Sequence, residues 1–270
     1  MNEHFAMKRN WGPTPKFERV EKFENLNNDF TFIAGPCSVE SEEQINIIAE
    51  FVKMNGATHL RGGVFRAGTY PNDNTFGWVP EGLIRAYHLA AKNNGLKNII
   101  EVLDYRDINL LSKYASCFQV GCRQMQNYTL LKEVGRSGKP IFLKRNPGST
   151  LDEWLGAAEY LIQAGCQELY LIERGSVSHV NHVRWDLSLS IIPAAKAITK
   201  IPIVVDASHG TGRRDLVLPM TLAGVSAGAN GMLVECHPEP RKSLSDADQA
   251  IGFSDLIVLV EKVNKLRSVL

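Results

Sequence analysis

The sequence predicts a single (β/α)8 barrel preceded by a short N-terminal extension. Its 270 residues contain short runs of β-branched and aliphatic residues that alternate with longer segments of helical periodicity. Eight such pairs, with no linker or low-complexity segment between them, favour a closed barrel over an open doubly wound sheet. We assign residues 1–28 to a polar, proline-containing arm and residues 29–270 to the barrel.

The eight predicted strands lie at residues 31–36, 58–65, 98–103, 117–121, 140–145, 168–175, 201–208 and 231–236. The first helical segment, residues 41–56, opens with Ser41, a residue type that favours the N-cap position. A later helical segment has Thr150 and Glu153 at the spacing of a capping box. Gly165 stands where a helix commonly ends in a left-handed residue, so this segment is predicted as one complete helix.

Composition and charge exclude several kinds of partner. The 30 basic and 29 acidic side chains leave a formal net charge of +1, so we expect no binding to nucleic acid. No apolar run reaches the roughly 18 residues of a membrane span, and the arm has no signal-peptide pattern. We therefore expect a cytoplasmic protein without membrane contact. The five cysteines are scattered and contain no CxxC pair, which predicts free thiols.

Charged and metal-ligating side chains follow the predicted strands at the point where each strand ends. Active sites of (β/α)8 barrels lie at the carboxyl ends of the strands, and burying an unpaired charge is costly. We therefore expect these side chains to share one site at that end of the barrel. In strand order they are Cys37, Arg61 with Arg66, Glu101 with Asp104, Gln119 with Arg123, Lys144 with Arg145, Glu173 with Arg174, Asp206 with His209, and Glu235 with His237.

One half of this rim predicts a metal site. Barrel closure places the first strand beside the eighth and the eighth beside the seventh, so Cys37, His209 and Glu235 become neighbours. Asp246, in the loop after the eighth strand, can fold over them. A thiolate, an imidazole and two carboxylates suit a divalent transition metal such as Mn, Fe, Co or Zn better than Mg or Ca.

The other half of the rim predicts an anion site. It contributes four bases, which are Arg61, Arg123, Lys144 and Arg174. Converging cations repel one another unless an anion lies between them, and phosphoenolpyruvate carries both a phosphate and a carboxylate. The alternative is that Glu173, Glu101 and Asp104 neutralise these bases in rim ion pairs.

The motifs at the strand ends resemble those of a known family. They are AGPCSVES, LRGG, QVGCR, FLKR, LIERG, VVDASHGTGRRDLVLP, GANGMLVECHPEP and SLSD, in this order over about residues 30–265. The chain resembles the short form of 3-deoxy-D-arabino-heptulosonate 7-phosphate (DAHP) synthase, in the superfamily that includes 3-deoxy-manno-octulosonate 8-phosphate synthase. The resemblance implies a barrel that condenses phosphoenolpyruvate with an aldose phosphate, usually erythrose 4-phosphate, and releases inorganic phosphate. This reaction opens the shikimate pathway to aromatic amino acids.

The resemblance also implies roles for individual residues. The implied metal ligands are Cys37, His209, Glu235 and Asp246. The implied contacts to phosphoenolpyruvate are Arg61, Arg66, Gln119, Arg123, Lys144 and Arg174. Lys144, His209 and Cys37 are the implied catalytic residues, with His209, Lys144 or a metal-bound water as the group that moves protons. Family members commonly form homodimers or homotetramers, which we also expect here.

The chain departs from the family in the loop after the second strand. The family's Lys-Pro-Arg-Thr/Ser segment binds the donor through its lysine and the acceptor through its arginine and hydroxyl. Here that segment reads Arg66, Ala67, Gly68 and Thr69, so a contact worth roughly 1.5–3 kcal/mol is lost at Gly68. Either another base holds the acceptor phosphate, with Arg145, Arg213 and Arg214 as candidates, or the acceptor is a different or unphosphorylated aldehyde. In the third alternative, Gly68 only relieves strain in a turn and Arg66 swings across. The residues expected to bind the acceptor are Thr69, Arg145, Arg213 and Asp246.

Two other functions fit the same barrel. A Schiff-base aldolase would use Lys144, at the end of the fifth strand, as its nucleophile, and borohydride would trap it with substrate. A non-catalytic barrel disabled at Gly68 would bind ligands without turnover. The full set of metal-ligand residue types argues against this second alternative.

Overall fold

Eight parallel strands form a closed barrel, as predicted, in the computed structural model, which describes residues 17–25, 29–66 and 77–270. The strands are β1 (Thr31–Gly35), β2 (His59–Arg61), β3 (Lys97–Glu101), β4 (Cys117–Val120), β5 (Ile141–Lys144), β6 (Leu169–Glu173), β7 (Ile203–Asp206) and β8 (Gly231–Glu235). Each pairs with its neighbours in sequence, and β1 closes the barrel on β8 with Gly35 opposite Glu235. This closure brings together the two ends of the chain that carry the predicted metal ligands.

Helices cover the outside of the barrel. They are α1 (Glu42–Met54), α2 (Glu81–Asn93), α3 (Ile108–Leu111), α4 (Tyr128–Gly135), α5 (Leu151–Gln163), α6 (Ile191–Lys196), α7 (Ala207–Thr211), α8 (Arg214–Ser226) and α9 (Phe253–Arg267). Ser41 caps α1 by accepting a hydrogen bond from the Gln44 amide, and Thr150 and Glu153 form the predicted capping box of α5. Gly165 follows α5 with a φ of 114°, in the region that glycine favours. The predicted capping residues are thus confirmed.

Alternate residues of the strands fill the barrel interior. The buried cluster there consists of Ile33, Ile99, Cys117, Phe142, Tyr170, Ile172, Val204 and Leu233. Their neighbours along the strands, such as Phe32, Ala34 and Val234, belong to a larger apolar layer beneath the helices. Both faces of each strand are therefore buried, which is why the strands appear in the sequence as apolar runs. No helix within the described ranges combines the length and the apolar composition that a membrane span requires.

The second strand is shorter than predicted. It ends at Arg61 rather than at residue 65, and Phe65–Arg66 pairs instead with Gly77–Trp78 in a short antiparallel hairpin. Gly62 follows the strand and packs so closely that a Cβ atom there would lie 2.7 Å from the Val39 side chain. Because a larger residue would clash at this point, the glycine marks where the chain leaves the barrel wall.

The described part of the N-terminal arm covers the amino end of the barrel. Phe17 and Val20 are buried in the apolar layer. The Asn25 side chain donates to the Leu169 carbonyl at 2.9 Å and accepts from the Leu169 amide at 3.0 Å. This part of the arm therefore docks on the chain's own barrel.

Candidate functional site

Three predicted metal ligands meet where β1 and β8 end. The ligand atoms of Cys37, Glu235 and Asp246 all lie within 4.8 Å of one another. The Cys37 thiol donates to Asp246 Oδ2 at 3.3 Å, although the two residues are 209 positions apart in sequence. Asp246 reaches this point from the loop after β8, where its φ of 48° is unusual for a residue with a side chain. We call these three residues the acid–thiol group.

His209 stands beside the acid–thiol group at the end of β7. Its Nε2 atom lies 3.2 Å from Glu235 Oε1, and its Nδ1 atom lies 2.8 Å from Asp206 Oδ2. Asp206 also caps the short helix α7 by accepting a hydrogen bond from the His209 amide at 3.0 Å. Two contacts to one carboxylate therefore orient the imidazole so that its other nitrogen faces Glu235.

Lys144, at the end of β5, contacts the same carboxylate. Its Nζ atom lies 3.0 Å from Asp206 Oδ2 and 3.5 Å from His209 Nδ1. Burial alone would raise the pKa of Asp206, but His209 and the Lys144 ammonium outweigh it and hold that pKa well below its ordinary value. An ionised Asp206 thus anchors both residues. From the sequence we placed Asp206 at the rim but assigned it no role. Its position three residues before His209, the spacing of an N-cap, is the signal that could have identified its contact with that residue.

The Cys37 thiol and the Asp246 carboxyl group have pKa values that shift in opposite directions. Burial, together with Glu235 and Asp246, raises the pKa of the Cys37 thiol well above its ordinary value. Burial also raises the pKa of Asp246, but His209 and the Cys37 thiol outweigh it and lower that pKa overall. The thiol is therefore protonated at neutral pH and donates to an ionised Asp246.

Arg61 lies on the boundary between the two halves of the rim. Its Nη1 atom donates to Glu235 Oε1, and its Nη2 atom donates to the Cys37 carbonyl at 3.3 Å. We predicted that Arg61 contacts phosphoenolpyruvate, and in the structure its guanidinium contacts the acid–thiol group. A bound anion at Arg61 would therefore be adjacent to Glu235.

The remaining candidates for anion binding differ in burial and in partners. Arg174 follows β6 and is buried, and its Nε and Nη1 atoms have no hydrogen-bond partner among the described residues. Its guanidinium lies 5.4 Å from the centre of the Trp185 ring. Arg123 is exposed, and Gln119 donates to Glu101 Oε2 at 3.3 Å. Because a buried guanidinium without acceptors is costly, Arg174 indicates an anion site.

Two bases expected to bind the acceptor have other partners. The buried Arg145 guanidinium donates to both oxygens of Glu173, at 2.5 and 2.9 Å, and to Ser176 Oγ at 2.6 Å. Arg213 is exposed and donates to Asp215 at 3.1 and 2.6 Å. A nearby carboxylate thus offsets the charge of Arg145 and of Arg213 in the structure, and their contact with the acceptor stays a prediction.

The other acceptor candidates occupy separate places. Asp246 belongs to the acid–thiol group, and Arg66 belongs to the short hairpin after β2. Arg214 donates to two backbone carbonyls, both at 2.6 Å. Gly68 and Thr69 lie outside the described residues, so the loop that departs from the family pattern stays a matter of prediction.

We considered the alternative that Glu173, Glu101 and Asp104 neutralise the four rim bases, and the ion pairs in the structure differ from it. The pairs include Arg61–Glu235, Lys144–Asp206, Arg145–Glu173 and Arg106–Asp104. Asp206 and Glu235 thus neutralise two of the predicted anion-binding bases, while the three acids that we considered contact other side chains. Within the part of the chain that the structure describes, Arg123 and Arg174 have no ion-pair partner.

The donor set fits a divalent transition metal. A thiol, two carboxylates and an adjacent imidazole nitrogen match the sulfur, oxygen and nitrogen ligands that such ions accept. Two residues that sequence reasoning missed, Gln249 and Arg184, contact the carboxylates of the acid–thiol group. No motif in the sequence marks them, because their contacts arise from loops that meet through barrel closure.

Comparisons with known proteins show which sequences this chain is similar to. The family model described as "DAHP synthetase I family" matches residues 21–270. A phospho-2-dehydro-3-deoxyheptonate aldolase from Thermotoga maritima is 38% identical over 244 residues, covering 90% of this chain and 72% of the relative. A 2-dehydro-3-deoxyphosphooctonate aldolase from Desulfotalea psychrophila is 26% identical over 268 residues, covering 87% of this chain and 89% of the relative.

Solved structures show the same likeness. The crystal structure of the Thermotoga maritima phospho-2-dehydro-3-deoxyheptonate aldolase (DAHP synthase) has a TM-score of 0.86 at 38% identity, covering 90% of this chain and 71% of that one. A truncated form of 3-deoxy-D-arabino-heptulosonate 7-phosphate synthase from the same organism has a TM-score of 0.82 at 37% identity, covering 90% and 88%. This chain therefore belongs to the DAHP synthetase I family and is an enzyme of the DAHP synthase type, which catalyses a phosphoenolpyruvate-dependent aldol condensation.

Proposed function

We propose that this enzyme condenses phosphoenolpyruvate with erythrose 4-phosphate in a metal-dependent reaction that forms DAHP and inorganic phosphate. The observation that carries the proposal is a chain of contacts that joins the two halves of the rim. It runs from Lys144 Nζ to His209 Nδ1 at 3.5 Å, and from His209 Nε2 to Glu235 Oε1 at 3.2 Å. A donor held at Lys144 would therefore lie next to an acceptor held at the metal ligands.

The four predicted ligands, Cys37, His209, Glu235 and Asp246, would hold the metal. Their donors suit Mn²⁺, Fe²⁺, Co²⁺ or Zn²⁺. When bound, such an ion acts as a Lewis acid that polarises the aldehyde carbonyl of the acceptor. Cys37 must first lose the proton that it donates to Asp246, so metal affinity should rise with pH.

The cationic half of the rim would hold the donor. The two unpaired buried nitrogens of Arg174 can donate to a phosphate or a carboxylate, and the exposed Arg123 can approach the same anion. Lys144 would complete the clamp and stabilise the charge that develops as the reaction proceeds. Following the resemblance, we assign three further residues to this site, which are Arg61, Arg66 and Gln119.

The reaction forms one carbon–carbon bond, and at C2 a carbon–oxygen bond to water replaces the one to the phosphate. The proton that the added water loses balances the one that the aldehyde oxygen takes up. C3 of phosphoenolpyruvate attacks the aldehyde carbon, water adds at C2, and the C2–O bond to the phosphate then breaks. The former aldehyde oxygen takes up a proton and becomes a hydroxyl. Lys144 Nζ is the candidate to deliver that proton, because Asp206 holds it at the junction of the two halves, whereas His209 Nε2 faces the metal ligands.

A second candidate function is condensation with a different aldehyde. The observation that favours it is the pairing of Arg145 with Glu173 and of Arg213 with Asp215, since these bases were expected to replace the arginine missing at Gly68. Without a replacement cation, the phosphate of erythrose 4-phosphate loses a charge-assisted contact. An unphosphorylated or differently placed acceptor would not need that contact.

The test is a phosphate-release assay with each acceptor in turn. Purified protein is incubated with phosphoenolpyruvate, Mn²⁺ and, separately, erythrose 4-phosphate, arabinose 5-phosphate or an unphosphorylated aldose, with and without a chelator. We expect chelator-sensitive release with erythrose 4-phosphate and none from Cys37→Ala. Turnover with another aldehyde alone would support the second candidate, and turnover that chelation leaves intact would overturn metal dependence.

Borohydride separates this reaction from that of a Schiff-base aldolase. The Lys144 Nζ atom is held by Asp206 at 3.0 Å, whereas an imine would need this amine free to attack a carbonyl. We expect that borohydride with substrates leaves the enzyme active and Lys144 unmodified in a peptide mass analysis. A substrate-dependent adduct on Lys144 would replace our mechanism with imine chemistry.

We also propose that the chain forms a homodimer or a homotetramer, as members of its family commonly do. The support for this proposal comes from the family resemblance. Light scattering on the purified protein measures its mass directly, and a monomer at the concentration of the activity assay would contradict the proposal.

A further inference from the structure

We infer that Gln249 and Arg184 are positioning residues that hold the carboxylates of Glu235 and Asp246 in the orientation needed to bind a metal ion. The inference rests on the proposed metal dependence and adds two residues to it. Both lie outside the set of predicted ligands, and each acts through another side chain rather than on the reacting atoms.

Gln249 fixes one oxygen of Glu235. The Gln249 side chain is buried, and its Nε2 atom donates to Glu235 Oε2 at 2.6 Å. Its other end, Oε1, accepts from Arg184 Nη1 at 3.3 Å. Because a guanidinium can only donate, the amide oxygen must face Arg184 and the amide nitrogen must face Glu235. Arg184 thus sets the orientation of the amide that holds the ligand.

Glu235 needs this restraint because its two oxygens have different neighbours. Oε1 contacts Arg61 and lies 3.2 Å from His209 Nε2, whereas Oε2 contacts Gln249. Without the Gln249 amide, Oε2 would be a buried carboxylate oxygen that has lost a donor, and the carboxylate could rotate about its last bond. Such rotation changes which oxygen faces Cys37 and Asp246.

Arg184 holds the second carboxylate directly. The same Nη1 atom that contacts Gln249 donates to Asp246 Oδ1 at 3.2 Å, while Asp246 Oδ2 faces the Cys37 thiol at 3.3 Å. The left-handed backbone of Asp246 is a conformation that side-chain-bearing residues rarely adopt, so contacts must hold it there. The Arg184 guanidinium, which belongs to the loop after β6, provides one such contact.

The loop after β6 brings Arg184 to this position. The Arg184 amide donates to the Thr211 carbonyl at 2.8 Å, and the side chain passes over Gly212, where an added Cβ would lie 2.7 Å from Arg184 Cβ. A residue larger than glycine at position 212 would push Arg184 away. The geometry therefore ties the loop after β6, through one arginine, to both carboxylates near the end of β8.

Residues that orient metal ligands typically contribute about 10- to 100-fold to metal affinity. We expect Gln249→Leu and Arg184→Leu each to weaken Co²⁺ binding by about that factor. Because Arg184 acts on Glu235 through Gln249, the double variant should lose less than the product of the two single losses.

The experiment titrates Co²⁺ into the metal-free full-length wild type and variants. The readout is the cobalt–thiolate absorption of Cys37, which reports both affinity and ligand geometry without any turnover. Gln163→Leu and Arg136→Leu are the matched controls, because each removes an exposed side chain that contacts one carboxylate, Glu159 or Glu133. Thermal unfolding of each metal-free protein separates weakened binding from weakened folding.

The expected result is weaker cobalt binding and an altered absorption band in both variants, with wild-type behaviour in both controls. Cobalt affinity equal to that of the wild type in Gln249→Leu and Arg184→Leu would overturn the inference, as would a loss that follows unfolding temperature alone. If Gln249→Leu fails to fold, Arg184→Lys decides the question, because the side chain of Arg184 is half-exposed. A wild type that binds no Co²⁺ would instead overturn the proposed metal dependence.

Discussion

The two ends of the barrel differ in whether their buried titratable groups are charged or neutral. At the carboxyl end, Asp206, Glu235 and Glu173 are fully buried, and each pairs with a cation. At the amino end, His59 is buried beside Phe142, and burial lowers the pKa of its imidazole to about 3, so the ring is uncharged. These three carboxylates of the carboxyl end are therefore buried in ion pairs, whereas the amino end buries a neutral imidazole.

This difference indicates where the barrel carries its chemistry. Replacing a buried ion pair by apolar residues is often neutral or even stabilising, so such pairs are poor devices for stability alone. Three of them at one end of the barrel, around the acid–thiol group, point to a functional demand for fixed charge. Among the described residues, the amino end has no comparable group of buried ion pairs, and the N-terminal arm covers this end.

The largest expected effect comes from breaking a buried pair at the carboxyl end. Arg145→Leu leaves Glu173 buried without its guanidinium and should lower the free energy of unfolding by about 3–5 kcal/mol. Urea unfolding at neutral pH measures this loss. Arg213→Leu is the control, because it breaks an exposed pair and should leave the unfolding midpoint unchanged. Equal midpoints for both variants would show that the Arg145–Glu173 ion pair does not stabilise the folded protein.

The next effect compares Lys144, the last residue of β5, with Lys139, which precedes the strand. Lys144→Met removes a fixed cation from the junction of the rim and should lower kcat by about 10²–10³-fold. Lys139→Met is the control at the amino end, where the lysine donates to the Ala115 carbonyl, and its kcat should match that of the wild type. Steady-state phosphate release measures both. A comparable loss in both variants would mean that lysine removal acts through folding rather than chemistry.

Burial of His59 at the amino end should make the free energy of unfolding depend on pH. Burial, reinforced by Lys97, lowers the pKa of His59 from 6.5 to about 3. The unfolded imidazole takes up a proton below pH 6.5 and the folded one does not until about pH 3, so stability is lost as the pH falls through this window. Between pH 6.5 and about pH 5, this group alone should cost about 2 kcal/mol.

Urea unfolding of the wild type and of His59→Gln tests this expectation. The difference in stability between the two proteins should be constant above pH 6.5 and should shift in favour of the variant below it. Parallel curves over the whole range would show that the folded imidazole takes up its proton as readily as the unfolded one.

The smallest effect concerns the arm at the amino end. Asn25→Ala removes two hydrogen bonds to the backbone of Leu169 and should cost about 1 kcal/mol of unfolding free energy. Asn46→Ala is the control, because this exposed asparagine makes one hydrogen bond within α1. A variant Asn25→Ala as stable as the control would mean that the arm contributes nothing at this contact.

Much of the fold could be predicted because its signals are local. Apolar runs mark each strand, and Ser41, Thr150 and Gly165 mark helix ends through hydrogen bonds and backbone angles that involve only near neighbours. The end of β2 was predicted too late because the residues after Arg61 are still apolar. There, Phe65–Arg66 pairs with Gly77–Trp78 in a hairpin and does not extend the barrel strand.

The site was predictable to the extent that strand order brings residues together. Cys37, Glu235 and Asp246 meet because barrel closure pairs β1 with β8. The partners of Arg145 and the contacts of Gln249 were not predictable, since they depend on which of several nearby acids each side chain reaches.

The sequence by itself determined the barrel, its strand order and the residue types that collect at its carboxyl end, because hydrophobic period and strand–helix alternation follow from short-range physics. Only the tertiary structure decided which charges are paired and which are free. Asp206 neutralises Lys144, Glu173 neutralises Arg145, and Arg174 keeps two buried nitrogens unpaired among the described residues. Pairing depends on distances of a few ångströms between loops, and such distances are set by packing of the whole barrel.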